Sequence, residues 1–331
     1  MATTAVLDIR IPFSTRHQDW TGRLQLNGWD SALNRRYADA LIAELQANAD
    51  EFSDVEIAAI RLGGGHASHL GGECLWSVVR TARSLYHVAE GAPLSMRCSA
   101  ADFSGASMPM FRRCGATRFD LEMLSLSSTA FNRVNETDSL ELYPILCNSF
   151  LHSHANDALG LVLLVGSPKA SDLEVRRSFL EARHYHTAHV IIERFGEGAG
   201  TTGTQTEAGA AGSAGDARVA GAMEETAGSA EAAEASARCE AQIADAREVL
   251  GAAGFREYAP LRFARPGCED PVIAAWHGGG DVIGIGLGAR TRFAGALSTN
   301  TTDVETYLGF SHDFTKITAS VEAVGTEAAQ A

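Results

Sequence analysis

An alternation of short apolar strands with amphipathic helices runs through most of this chain, and no other feature restricts its fold so strongly. Residues 6–13 read as a strand, and residues 33–49 as a helix with Tyr37, Leu41, Ile42 and Leu45 on one face. Strand 55–62 stops at Gly63-Gly64-Gly65 and leads to helix 73–89. Strands 93–98, 117–121, 158–165 and 189–195 follow, separated by helices from about 107 to the C-cap Gly115, over 138–153 and over 171–183. A last helix spans 237–253. Six strand-then-helix units imply a parallel sheet covered by helices on at least one face. Helices all on one side would curl the sheet into a full or partial barrel; helices on both sides would make it doubly wound. Periodicity is compatible with either.

Residues 196–237 interrupt this pattern. They are dominated by Gly, Ala, Thr, Ser and Glu, with seven acidic residues and the single basic Arg218. So few large apolar side chains cannot offset the entropy of ordering, and the segment is expected to be a disordered insertion, with 229–237 able to extend the next helix. After that helix, 255–263 and 281–288 read as strands or tight turns closing the sheet. The tail from Ser320 is again rich in Ala and Glu and reads as frayed.

A formal charge of −14 excludes a nucleic-acid partner as the default, because phosphates are met by clustered Lys and Arg. No apolar run is long enough for a membrane span, and no basic region precedes an apolar core near Met1, so the cytoplasm is the expected location. Cys74, Cys98, Cys114, Cys147, Cys239 and Cys268 are scattered, without any CxxC or CxxxC pair, and read as small apolar side chains.

Three features invite chemistry. His184, His186 and His189 form HxHxxH, His152 and His154 form HxH, and His66 and His69 flank the triple-glycine loop. No Asp or Glu close in sequence completes a site, and structural histidines are the simpler reading. Gly284-Ile285-Gly286-Leu287-Gly288 lacks the following helix that a dinucleotide loop requires. The amides of Gly63, Gly64 and Gly65 could cradle a carboxylate or phosphate. No Ser-His-Asp or Cys-His arrangement stands out.

Several blocks, in order, resemble the oxygen-independent coproporphyrinogen III oxidase and haem-chaperone family of radical-SAM proteins. Leu7-Asp8-Ile9-Arg10-Ile11-Pro12-Phe13-Ser14 resembles the family strand that ends in Ile-Pro-Phe-Cys. Leu62-Gly63-Gly64-Gly65-His66-Ala67-Ser68 resembles its Gly-Gly-Gly-Thr-Pro-Ser loop. Cys114-Gly115-Ala116-Thr117-Arg118-Phe119, Val165-Gly166-Ser167-Pro168 and Phe263-Ala264-Arg265-Pro266-Gly267 match later blocks, as do Trp276, Gly279-Gly280-Asp281 and Gly284 to Ala289. The resemblance implies a partial (β/α)6 radical-SAM-type barrel with a short C-terminal β extension. Its parts would be a barrel over 1–195, the insertion over 196–237, the last barrel helix and extension over 238–310, and a tail over 311–331.

The departures are equally ordered. Where the family carries a CxxxCxxC motif for a [4Fe–4S] cluster, this chain has Ser14, Gln18 and Thr21, although Trp20 keeps the aromatic position. Arg97 stands for a carboxylate, Leu124 for a glutamine, Val162 for an aspartate, Pro271-Val272 for a His-Asn pair and Arg290 for a histidine. Scaffold kept and chemistry lost implies a non-catalytic binding or regulatory subunit, working beside an intact radical-SAM relative, with neither the cluster nor S-adenosylmethionine. Gly63, Gly64 and Gly65 would be a relic cofactor loop. Arg97, His66, Trp276 and Arg290 would line a mouth suited to an anion such as a propionate-bearing tetrapyrrole, and no metal is expected. The alternatives are a haem or porphyrin carrier, and an enzyme with cluster-independent chemistry built on Arg97, His66 or Arg290.

Overall fold

The computed structural model describes residues 3–14, 26–27, 30–99, 102, 107–134, 159–183, 187–196, 229–309 and 317–323. The positions matched to the second and third family cysteines, His152, His154, His184, His186, Cys147 and most of the 196–237 insertion lie outside these residues.

The strands are β1 (Thr3–Arg10), β2 (Phe13–Ser14), β3 (Leu26–Asn27), β4 (Val55–Gly63), β5 (His87–Val88), β6 (Leu94–Ser99), β7 (Arg118–Leu124), β8 (Leu159–Val165) and β9 (His189–Arg194). After the insertion come β10 (Arg256–Ala259), β11 (Arg262–Ala264), β12 (Val282–Ile285), β13 (Arg290–Phe293), β14 (Ala296–Asn300) and β15 (Thr318–Ala323). The helices are α1 (Ser31–Asn48), α2 (Gly72–Leu85), α3 (Ser107–Arg113), α4 (Phe131–Val134), α5 (Asp172–Ala182), α6 (Ser229–Ala252), α7 (Pro271–His277) and α8 (Val304–Gly309). No described helix is long and apolar enough to cross a membrane.

The six anticipated strands pair in parallel in the order of the chain, β1-β4-β6-β7-β8-β9. A doubly wound sheet reverses its order at a switch point, and this one does not. Its outward face, including Leu7, Ile9, Leu62, Met96, Leu121, Leu163 and Ile192, forms one large core with apolar residues of α1, α2, α5 and α6. The sheet stays open. Antiparallel β11 and β10 extend it beyond β9, and parallel β12 followed by antiparallel β13, β14 and β15 extends it beyond β1.

Helix α6 begins at Ser229, so 229–237 extend it as the Ala-rich composition allowed, because such a stretch has high helix propensity. One boundary differs from the sequence reading. Thr318–Ala323, assigned to the fraying tail, pairs with Ala296–Asn300 as the edge strand β15. Its side chains are mostly exposed, so ladder hydrogen bonds rather than apolar burial hold it, and hydrophobic patterning could not reveal it.

The extension is tied to the first helix by a buried carboxylate. Glu44 on α1 accepts hydrogen bonds from the Gly286 amide (2.8 Å), the Asn300 side-chain amide (2.7 Å) and the Tyr307 hydroxyl (2.6 Å). Burial nevertheless pushes its pKa up to about 7.

Candidate functional site

Strand residues alternate between faces, so the residues opposite the helix-covered core form a second, inner face. That face is unusually charged for a buried parallel sheet. It carries Asp8 and Arg10 on β1, Arg61 on β4, Arg97 on β6, Arg118, Asp120 and Glu122 on β7, and His189 and Glu193 on β9. Helix α7 lies across it. Val272 packs with Val6, Ala59 and Val282, and Ile273 packs with Val162, Ile191 and Ala259. Asp270 caps this helix, accepting from the amides of Val272 (2.9 Å) and Ile273 (3.2 Å).

One polar layer surrounds Asp120 and His189. The two residues sit on either side of Gly160 in the register of three adjacent strands, with Asp120 Oδ1 3.1 Å from His189 Nδ1. A methyl group at Gly160 would overlap both side chains, so only glycine lets the pair meet over β8. Burial raises the Asp120 pKa to about 6. Burial, reinforced by Arg118 and Arg61, holds His189 well below the usual histidine range and therefore neutral. Both ring nitrogens of His189 and both carboxylate oxygens of Asp120 lack a well-aligned hydrogen bond.

A second layer is built on Arg97. Its Nε reaches Glu122 Oε2 at 2.8 Å and its Nη1 reaches Glu193 Oε1 at 2.7 Å, while Nη2 bonds to both carboxylates. Burial alone would lower the guanidinium pKa; the two glutamates outweigh it and keep the group charged. The network continues to the glycine loop. His66 Nε2 lies 3.2 Å from Glu122 Oε2, His66 Nδ1 lies 3.3 Å from His69 Nε2, and His69 Nδ1 lies 3.4 Å from Asp102 Oδ1. Asp102 is itself held by the Ser68 hydroxyl and the Ser99 amide.

The anticipated site residues do not converge on one mouth. Arg97 and His66 belong to the network just described, where Arg97 is already neutralised by Glu122 and Glu193, so it is not an open receptor for an anion. Trp276 and Arg290 line a different space, a cavity of about 180 Å³ between α7 and strands β1, β4, β12 and β13. Asp8, Arg10, Arg61, Arg262 and His277 also line it. Arg290 stacks over Trp276 with its guanidinium carbon 4.9 Å from the ring centroid. Burial and the neighbouring Arg10 and Arg292 lower the Arg290 pKa, whereas Asp270 and Asp8 outweigh burial at Arg61 and keep it charged.

The glycine loop packs on its own chain. The His66 amide donates to the Phe13 carbonyl (2.8 Å), and a side chain at Gly65 would run into the backbone of Ile11 and Phe13. Close approach to β2 therefore accounts for Gly65 without any ligand.

Sequence reasoning missed Glu122, Glu193 and Asp120, and it offered Asp102 as an acid that could pair with Arg97, a place the structure gives to Glu122 and Glu193. A signal existed for two of them: in Arg118-Phe-Asp-Leu-Glu-Met-Leu124, strict alternation places Arg118, Asp120 and Glu122 on one face. Nothing local announced Glu193, which meets Arg97 only across the sheet.

No protein-family profile matches the chain, and no curated protein matches it in sequence. Among solved structures it is similar to coproporphyrinogen III oxidase (HemN) from Escherichia coli, described as a radical SAM enzyme. The TM-score is 0.75 at 13% identity, over 98% of this chain and 72% of that one. The mixed α/β fold with a large sheet is thus the fold of that enzyme.

Proposed function

We propose that this protein is a non-catalytic binding or regulatory subunit on a partial (β/α)6 radical-SAM-type barrel, holding neither a [4Fe–4S] cluster nor S-adenosylmethionine. The observation that carries this reading is the donor chemistry where the first strand ends. Cluster irons are held by thiolates, and Ser14 offers a hydroxyl that is barely ionised at neutral pH. The other two matched positions, Gln18 and Thr21, are also without sulfur. Cys98, the cysteine on β6, belongs to the apolar core on the outer face, and burial raises its thiol pKa well above the usual value. The described residues do not fit such a cluster, and the ion network through Arg97 occupies the end of the sheet beside the glycine loop.

The ligand that best suits the molecule is a small carboxylate or phosphate in the cavity under α7. Arg10, Arg61, Arg262 and Arg290 line it together with Asp8, while Asp270 lies in the field of Arg61, and guanidinium groups pair bidentately with such anions. A tetrapyrrole suits it less well, since pockets for ligands of that size run to roughly 300–1,000 Å³. An intact radical-SAM relative is the partner this reading implies.

Anaerobic reconstitution with iron and sulfide provides the test. The expected product has no acid-labile sulfide and no cluster absorbance, and calorimetry with S-adenosylmethionine gives no heat of binding. A brown protein with about four irons per chain, or micromolar binding of S-adenosylmethionine, would overturn the proposal.

A further inference from the structure

We infer that His66 and His69, with Asp102, form a binding site for one divalent transition-metal ion at the end of the sheet, distinct from any iron–sulfur cluster. One ligand atom from each of the three residues lies within 4.8 Å of the others, among side chains that are buried or nearly so.

His66 Nδ1 lies 3.3 Å from His69 Nε2, and His69 Nδ1 lies 3.4 Å from Asp102 Oδ1. A neutral imidazole carries one N–H, so two facing ring nitrogens meet either through that hydrogen or through a cation bound by both lone pairs.

The spacing of the two rings suits a shared metal ion. Two nitrogens bound to one tetrahedral zinc at about 2.0–2.1 Å stand roughly 3.3–3.4 Å apart, and the facing nitrogens of His66 and His69 are 3.3 Å apart. The Glu122 carboxylate stands 3.2 Å from the other nitrogen of His66, where the outer partner of a metal-bound histidine is placed.

Imidazole donors favour Zn(II), Co(II) or Fe(II) over Mg(II) and Ca(II), which prefer all-oxygen sites. Small rotations of Asp102, the more exposed of the three, would let its carboxylate join the two imidazoles, leaving coordination positions for water or an anionic ligand.

Cobalt titration of the chelator-dialysed full-length chain tests this. One equivalent of Co(II) is expected to bind with the intense visible bands of low-coordinate cobalt, and Zn(II) should displace it. His69→Gln and Asp102→Asn should each weaken binding about 10–100-fold, with circular dichroism verifying that each variant stays folded. Cobalt binding that is unchanged in both folded variants, or that shows only the weak spectrum of the hydrated ion in the wild type, would overturn the inference. Because cobalt binding here needs no thiolate or sulfide, its failure would leave the reading of the missing cluster untouched.

Discussion

Arg97 shows how one residue can be misjudged from its type alone. A guanidinium in place of a carboxylate suggests a receptor for anions, yet Glu122 and Glu193 clamp it from two other strands. Burying three charges is tolerable only because each is paired and hydrogen-bonded. Replacing Arg97 with Met would leave two carboxylates buried without their counter-charge. The expected loss is about 3–5 kcal/mol of unfolding free energy, measured by urea denaturation at neutral pH. Wild-type stability in Arg97→Met would show that the glutamates reach solvent and that the clamp is only apparent.

At the scale of elements, α7 is the piece that turns an open sheet into a container. It is short, and apolar contacts fix it to the inner face, but its N-terminus depends on the fully buried Asp270. The same carboxylate lies in the field of Arg61 and helps to keep that arginine charged. Asp270→Ala should cost about 1–2 kcal/mol through the lost cap, and it should weaken binding of a small anion such as citrate or inorganic phosphate by disturbing the cavity wall. Urea denaturation and calorimetry on the same variant read the two effects separately. An unaltered unfolding midpoint would mean that apolar packing alone seats the helix.

Across the whole molecule, Glu44 connects α1 to the C-terminal extension through Gly286, Asn300 and Tyr307. Its pKa rises from 4.5 to about 7 on folding, because burial penalises the carboxylate. Between those values the unfolded chain ionises while the native protein keeps the proton. Stability must therefore fall as pH rises through that window and level off above it. The full contribution is about 3 kcal/mol at 1.36 kcal/mol per unit. Comparing wild type with Glu44→Gln at pH 5 and pH 8 isolates it: the variant should be more destabilised relative to wild type at pH 5 than at pH 8. Equal differences at both values would mean that Glu44 is ionised in the native state throughout.

The sequence by itself determined that the repeating units build a parallel sheet, and that no thiol stands where the first strand ends; the order of the strands was left to the tertiary structure. The first two follow from information written locally: apolar periodicity marks each strand and helix, and a donor type is simply present or missing at its position. Even part of the charged inner face was legible, since alternation in β7 aligns Arg118, Asp120 and Glu122. Only the tertiary structure decided that Arg97 would be neutralised, that Asp120 and His189 would meet over Gly160, and that His66 and His69 would find Asp102. These partners lie 25 to 96 residues apart for Arg97, and 33 for His69 and Asp102. Their meeting depends on the register of strands that are adjacent in space. A buried charge takes its meaning from what stands opposite it at about 3 Å, and only the folded sheet brings those groups together.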